Sequence, residues 1–521
     1  MAATVDESRG EAVHGEPIAE VSDPRVALFS RPARAALGAT ALALLVELVP
    51  WLAPLRLFSA RPSSEPAVAA DANPSSKLVV GEAEIATVSE GRSELAPGNE
   101  SNPGANGPLA AAPPLPTDLL DREPKVKIVD PDGKALTDFF RALERTRTKS
   151  AGALTRIVHF GDSIVASDYV SGTLRRRFQE RFGDGGHGFA LIANAWPAYF
   201  HNDIERYATA GWKVSRVVGP LADDGLYGLG CVSFRAEKNV LARFATAKKG
   251  DFGARASRFV VSYLEGPDAG SFQVSVDGEV RALVDTRGAS KRSAFYELRV
   301  PDGPHSFEIL TKSGISRLFG AVLEREGPGV VLDAIGIQGA RIRFLDKQDD
   351  AHWKEQLEKR RPDLMIYEFG ANESADGLMY PMVDYHRTMK DVLEQGRRAV
   401  PSASCLVVGA MDRAGKKGDQ LKSLGIIPLL VAEQRSAANE VGCAFFDTFA
   451  AMGGEGSMPS WVRRGLAQAD LTHPSAEGSD AIGTWIYRAL MQRYGEFLSA
   501  GTGAAGASPS TEAAKSSPSR L

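Results

Sequence analysis

The sequence predicts a three-layer α/β fold built on a parallel sheet, with an all-β sandwich module inserted into it. Three observations lead there. Short, nearly continuous apolar runs alternate with segments of helical period. A middle stretch switches to strand-length runs joined by turn signals. Beyond that stretch the first texture resumes, so the module interrupts one domain.

Taken in order, residues 1–34 are polar and irregular, which predicts disorder. Ala35–Leu55 is an apolar run between Arg34 and Arg56, close to the roughly 20 residues of a membrane helix. Glu47, Pro50 and Pro54 interrupt it; an uncleaved signal anchor is the leading expectation, with a cleaved export signal and a non-exported segment as alternatives. Arg25, Arg31 and Arg34 precede the run and favour an inside N-terminus with an exported body, periplasmic or extracellular. Residues 56–124 are rich in Pro, Ala, Ser, Gly and Asn without apolar periodicity, a disordered linker. Residues 499–521 form a similar tail.

Within the body, Arg156–Phe160 is the first strand-like run. Val170–Phe182 follows, with Leu174, Phe178 and Phe182 at helical spacing. Val330–Ile335, Leu364–Phe369, Ser404–Gly409 and Cys443–Asp447 are apolar runs of the kind strands covered on both faces require. Asp350–Arg360, Val383–Arg398, Pro428–Glu440 and Ser475–Tyr494 read as helices. The α/β domain thus has a first part at 125–200 and a second at 330–498. Residues 201–329 hold the module, with strands at Arg258–Tyr263, Phe272–Val276, Val280–Val284 and Ser306–Leu310. Asp277-Gly278 and Asp302-Gly303 are hairpin-type turn signals.

Composition narrows the function. A chain of 521 residues that is 43% hydrophobic and 24% charged suits a globular enzyme with a real core. A formal net charge of -4 offers no basic face, so no nucleic-acid partner is expected. Arg175-Arg176-Arg177 and Lys416-Lys417 are short and read as solvated faces. Cys231, Cys405 and Cys443 cannot all pair and show no CxxC spacing, so neither a disulfide framework nor a zinc site is expected. Cys405 and Cys443 lie in apolar runs and read as buried free thiols.

Four blocks carry possible chemistry. Gly161-Asp162-Ser163 follows the first strand, where a parallel sheet forms its ligand site. A serine there suits a nucleophile, provided a base takes its proton. Gly336-Ile337-Gln338-Gly339-Ala340 follows another strand, and a glycine N–H there can donate to an oxyanion. Phe369-Gly370-Ala371-Asn372 adds an amide donor. Asp470-Leu471-Thr472-His473 precedes the last helix and supplies a base with a carboxylate three residues away. Each alone has an ordinary structural explanation, a tight turn or a helix cap. Among other histidines, His159 reads as a core residue, His386 as a surface or packing residue, and His187 as bordering the pocket.

Together, in this order, the blocks resemble the SGNH/GDSL hydrolase superfamily. The resemblance implies Ser163 as nucleophile. Its backbone N–H, with Gly339 and Asn372, forms the oxyanion hole, and Asp470 and His473 complete the triad. Beside these, Asp162, Asp168 and Glu373 are lower-ranked candidates for supporting residues, Asp168 reading first as a helix cap, and no metal or organic cofactor is needed. Ile164 stands where the GDSL wording has Leu. The text from Gly161 to Phe189 and the inserted module look like the bacterial peptidoglycan O-acetylesterase branch, whose β domain resembles a carbohydrate-binding module. The implied activity is removal of O-acetyl or similar small acyl groups from a cell-envelope or extracellular glycan. The implied partners are an O-acylated glycan and, through the N-terminal helix, a membrane. Two alternatives stay open: a polysaccharide O-acetyltransferase on the same fold, and a non-catalytic glycan-binding envelope protein.

Overall fold

The computed structural model describes residues 126–197 and 199–505. The expected anchor at 35–55, the linker at 56–124 and most of the tail lie outside the described residues. No described helix is long and apolar enough to cross a membrane.

Helix α1 (Thr137–Arg147) leads into strand β1 (Leu154–Gly161), the short helix α2 (Ser163–Ala166) and helix α3 (Tyr169–Phe182). Strands β2 (Gly188–Ala190), β3 (Ile204–Ala208), β4 (Lys213–Arg216), β5 (Val232–Ala236), β6 (Leu241–Thr246) and β7 (Ala256–Glu265) follow. Next come β8 (Ser271–Val276), β9 (Glu279–Asp285), β10 (Arg292–Gly303), β11 (Ser306–Ser313) and β12 (Ser316–Glu324). The chain then returns through β13 (Gly329–Gly336), α4 (Asp350–Arg360), β14 (Leu364–Glu368), α5 (Met382–Ala399) and β15 (Ser404–Val408). A small hairpin, β16 (Ala414–Lys417) and β17 (Gln420–Ser423), precedes α6 (Ile427–Val441), β18 (Ala444–Phe446), α7 (Thr448–Met452), α8 (Ser457–Arg463) and α9 (Ala476–Ala505).

The central sheet is parallel, in the order β13-β1-β14-β15-β18. β1 therefore lies between strands reached by opposite crossovers, and the carboxyl ends of β1 and β14 frame the switch point where open sheets bind ligands. Alternate strand residues feed two cores. Ile157, Leu332, Ile366 and Leu406 pack with Phe139, Leu174, Phe178, Ile482 and Trp485, from α1, α3 and α9. Phe160, Met365, Tyr367 and Val407 pack with Trp353, Leu357, Met389, Leu393 and Leu430, from α4, α5 and α6. Helix α5 buries Tyr385, Met389, Val392, Leu393 and Gly396 on one face, the helical spacing the sequence shows. Helix α6 has Pro428 in its first turn and stops at Gly442, whose φ of 78° a side chain would disfavour.

The module is a sandwich of antiparallel sheets, β10-β7-β12-β5-β4 and β3-β6-β11-β8-β9. Its core holds Phe259 stacked on Phe307 at 4.7 Å and Tyr263 edge-on to Phe272 at 5.4 Å. β2 pairs with β12, so the first of these sheets also takes in residues on the amino-terminal side of position 201. Asp277-Gly278 makes the two-residue hairpin between β8 and β9, both residues having positive φ.

Three expectations need correction. Asp302-Gly303 is not a hairpin turn. It ends β10, which pairs with β7, and the next strand, β11, belongs to the other sheet. Asp302 there accepts Arg255 and Arg325. Arg175 is not solvated: it is fully buried and paired with Asp168 and Asp203. The loop that brings Asp203 to α3 is distant in sequence, which hid the pairing. Finally, Cys405 and Cys443 form a disulfide, with Cα atoms 4.7 Å apart. They sit one step before the paired residues Leu406 and Ala444 of β15 and β18. Strand adjacency, absent from the linear pattern, makes the bond. Cys231 is buried and free.

Candidate active site

The site is built on the carboxyl ends of β1, β13 and β14. Asp162 accepts the Ile164 N–H at 3.0 Å and so starts α2, placing Ser163 in its first position. Two glycines let the turn sit against the sheet. A Cβ on Gly161 would lie 2.3 Å from Val165 Cγ2 and 2.7 Å from the Glu368 carbonyl. A Cβ on Gly336 would lie 1.9 Å from the Ala166 nitrogen.

Ser163 Oγ lies 2.8 Å from His473 Nε2. His473 Nδ1 lies 2.6 Å from Asp470 Oδ2. The same carboxylate caps its own loop: Oδ1 accepts the Thr472 N–H at 2.9 Å and the His473 N–H at 3.0 Å. Partial burial works to raise the Asp470 carboxyl, but these hydrogen bonds outweigh it and hold it below its usual value. The loop reaches the serine because Ser475 N donates to Leu466 O at 3.0 Å and Ala414 N to Leu471 O at 3.0 Å.

Gly339 stands on an exposed turn with φ 78°, and Asn372 Nδ2 donates to the Ala340 carbonyl at 2.8 Å. That bond links the two loops and leaves the other amide hydrogen of Asn372 for a ligand. Beneath them, Glu373 is fully buried and accepts the Ile342 N–H at 2.8 Å. Burial raises its carboxyl to about 7. Asp162 is also buried, and burial, reinforced by the charges of Glu373 and Glu368, raises it to about 8.

The remaining sequence candidates lie elsewhere. Asp168 is bidentate to Arg175, at 3.0 and 2.9 Å, and accepts the Asn202 N–H at 2.8 Å. It ties α3 to the loop entering the module and makes no contact with Ser163, His473 or Asp470 among these bonds. His159 lies fully buried, 3.0 Å from both Ser171 Oγ and Glu368 Oε2. His187 pairs with His201 at 3.0 Å, both buried. His386 faces Glu433 and Glu440 on the outer helices.

Arg413 escaped the sequence reading. Its Nε donates to Thr472 Oγ1 at 2.9 Å, and its Nη1 to the Ala371 carbonyl at 2.8 Å and Ser374 Oγ at 3.0 Å. It thus clamps the His473 loop to the Asn372 loop. The available signal was its place just past the carboxyl end of an apolar strand run, on the edge that carries the site.

A cavity of about 530 Å³ lies at the other end of β1, lined by Leu154, Arg156, Arg258, Glu297, Glu324 and Arg360 among others. Its charged groups pair among themselves, Glu324 with Arg156, Arg258 and Arg360. It is not the site described above.

The GDSL-like lipase/acylhydrolase family matches residues 306–481, a segment with Gly339, Asn372, Asp470 and His473 that begins after Ser163. Among solved structures, a peptidoglycan O-acetylesterase superposes with a TM-score of 0.61 and 23% identity, covering 71% of this chain and 99% of its own. A family two carbohydrate esterase from Cellvibrio japonicus covers 57% of this chain and 99% of its own at 13% identity, with a TM-score of 0.24. No curated protein matches. The parallel sheet with its inserted antiparallel sheets agrees with the first of these folds. Residues 306–481 are thus similar to the GDSL-like lipase/acylhydrolase family, within a fold like that of a peptidoglycan O-acetylesterase.

Proposed function

We propose that this protein is a serine esterase that removes O-acetyl or similarly small acyl groups from a cell-envelope or extracellular glycan. The observation that carries the mechanism is the continuous contact Ser163–His473–Asp470, at 2.8 and 2.6 Å. Ser163 Oγ attacks the ester carbonyl while His473 Nε2 takes its proton. Asp470 holds Nδ1–H and stabilises the imidazolium. The Ser163 and Gly339 N–H groups and the Asn372 amide take the oxyanion. The C–O bond to the sugar breaks, and His473 returns the proton to the departing sugar oxygen. Water then attacks the acyl-serine, again losing its proton to His473, and the acid leaves as Ser163 regains its hydrogen.

The glycan as substrate is supported by the open position of the triad, with the His473 side chain 35% and that of Asp470 45% exposed, a setting that admits a polymer. We further propose that the body is exported and held at the membrane by residues 35–55. The Cys405–Cys443 disulfide supports export, because such bonds persist in oxidising compartments.

The test is acetate release from p-nitrophenyl acetate and from an O-acetylated glycan, with Ser163→Ala alongside. Loss of both activities in a folded Ser163→Ala protein is the expected result. Activity that survives the substitution would overturn the assignment. Acyl transfer to an added sugar, in place of acetate release, would instead identify a transferase. A wash-soluble mature protein cut near Ala60 would refute the anchor.

A further inference from the structure

The hairpin β16–β17 is a charged arm planted beside the triad. Its root is fixed on the catalytic loops. Arg413, the residue before it, binds Thr472 and the Ala371 carbonyl, and Ala414 N donates to Leu471 O at 3.0 Å. On the other strand, Ser423 Oγ donates to Asp412 at 2.7 Å, and Asp412 also accepts the Met458 N–H at 2.7 Å. Leu424 N returns to the Arg413 carbonyl at 2.7 Å. The base therefore cannot move independently of the His473 loop.

Beyond that base the arm is exposed. Lys416, Lys417, Gln420, Leu421 and Lys422 are all exposed, and none of the three lysines forms an ion pair with a described residue. Asp419, in the turn, is the hairpin's one acid, so the arm carries a positive excess on a chain whose formal net charge is -4. The register sorts the side chains. Gly415 faces Lys422 and Lys417 faces Gln420, so these four share one face, while Ala414, buried, marks the other as the face turned inward at the base. At about 3.3 Å per residue, the lysines stand roughly 10 Å or less from the catalytic loops. That is comparable to the distance over which exposed charges act at physiological salt, about 8 Å. A lysine block of this kind is ordinarily just a solvated face. What distinguishes this one is its rigid attachment to the loop that carries His473.

Resting on the esterase reading, we propose that the hairpin face of Lys417, Gln420 and Lys422 binds the acidic backbone of the substrate, while Lys416, paired with Leu421 on the opposite face, adds to the arm's positive charge. The substrate is then a carboxylate-bearing glycan, longer than the single sugar whose ester is cleaved. Lysines suit this role because they meet a run of separated carboxylates as point charges, without the fixed bidentate geometry of arginine. A polymer is favoured over a membrane surface because the arm stands on the same sheet edge as Ser163, where a bound chain would pass the nucleophile.

The test uses the full chain carrying Ser163→Ala, so that binding is read without turnover. The probes are polygalacturonate, neutral dextran, and vesicles of equal parts neutral and anionic phospholipid. The expected result is binding to polygalacturonate that weakens as salt rises, and that falls about tenfold or more when Lys416, Lys417 and Lys422 are all changed to Glu. The Lys→Gln triple variant is expected to lie between, and the thermal midpoint of each variant checks folding. Wild-type hairpin that ignores polygalacturonate, binds dextran equally, or prefers the vesicles overturns the proposal, as does binding that survives the triple Lys→Glu change. Failure of the esterase reading shows elsewhere, in the Ser163-dependent release of acetate by the unmodified chain.

Discussion

At the residue scale the site depends on one carboxylate doing two things. Asp470 accepts two backbone N–H groups and also holds His473 Nδ1. Asp470→Asn keeps a backbone acceptor but presents an amide to the ring, which favours the wrong tautomer. The expected loss in kcat is about 10⁴-fold, measured on p-nitrophenyl acetate, with little change in thermal midpoint. A fall of less than tenfold would show that His473 needs no carboxylate here. The carboxyls under the site give a second prediction. Glu373 and Asp162 are raised by burial to about 7 and about 8. In the unfolded chain both ionise near about 4. Between those values the folded state holds protons that the unfolded state has lost, so stability falls as pH rises through this window. The thermal midpoint is expected to drop from pH 5 to pH 8, and Glu373→Gln, which keeps an acceptor for Ile342, should reduce that drop. A midpoint flat or rising across that range would contradict the assignment. The two residues were named in the sequence only through their motif neighbours. Their titration depends on how completely the loops cover them, which no linear pattern records.

At the element scale, the alternation of short apolar runs and helical periods was legible because each element buries a continuous face. Leu364 to Glu368 is buried on both sides, and the sequence shows it as a nearly continuous apolar run closed by Glu368. The cysteines show the opposite case. Cys405 lies in β15 and Cys443 just before β18, yet their bond needed those strands to be neighbours. Closing a loop of 38 residues should contribute about 3–4 kcal/mol by constraining the unfolded chain. Chemical denaturation should show a lower midpoint for the wild type in reductant, and no further effect of reductant on the Cys405→Ala, Cys443→Ala double variant. Identical wild-type curves with and without reductant would exclude the bond. Arg413 belongs to the same class: a charged residue after a strand looks solvated until the loops it clamps are brought together.

At the scale of the whole molecule, a buried ionic network joins the module to the α/β domain. Glu324, the last residue of β12, is fully buried and meets Arg156 of β1 at 2.9 Å, together with Arg258 and Arg360. Arg360 of α4 also holds Asp333 of β13. Burial opposes the Glu324 charge, and the arginines more than offset it, keeping its carboxyl far below the usual range. Removing only the carboxylate leaves several guanidiniums without their shared partner. Glu324→Ala is expected to cost about 3–5 kcal/mol in equilibrium denaturation. A loss under about 1 kcal/mol would mean the network behaves like surface pairs.

The sequence by itself determined the parallel α/β architecture, the inserted β module and the four blocks with possible chemistry. These follow from local properties: the period of apolar residues, the turn chemistry of Asp277-Gly278, and short motifs at the ends of strands. Only the tertiary structure decided what meets across long separations. It set the 2.8 Å contact of Ser163 with His473, the Cys405–Cys443 bond, the burial of Arg175 and the arginine cage around Glu324. The physical reason is the same throughout. Periodicity reports which face of an element is buried, whereas a hydrogen bond, an ion pair or a disulfide depends on the neighbour that the strand order places against that face.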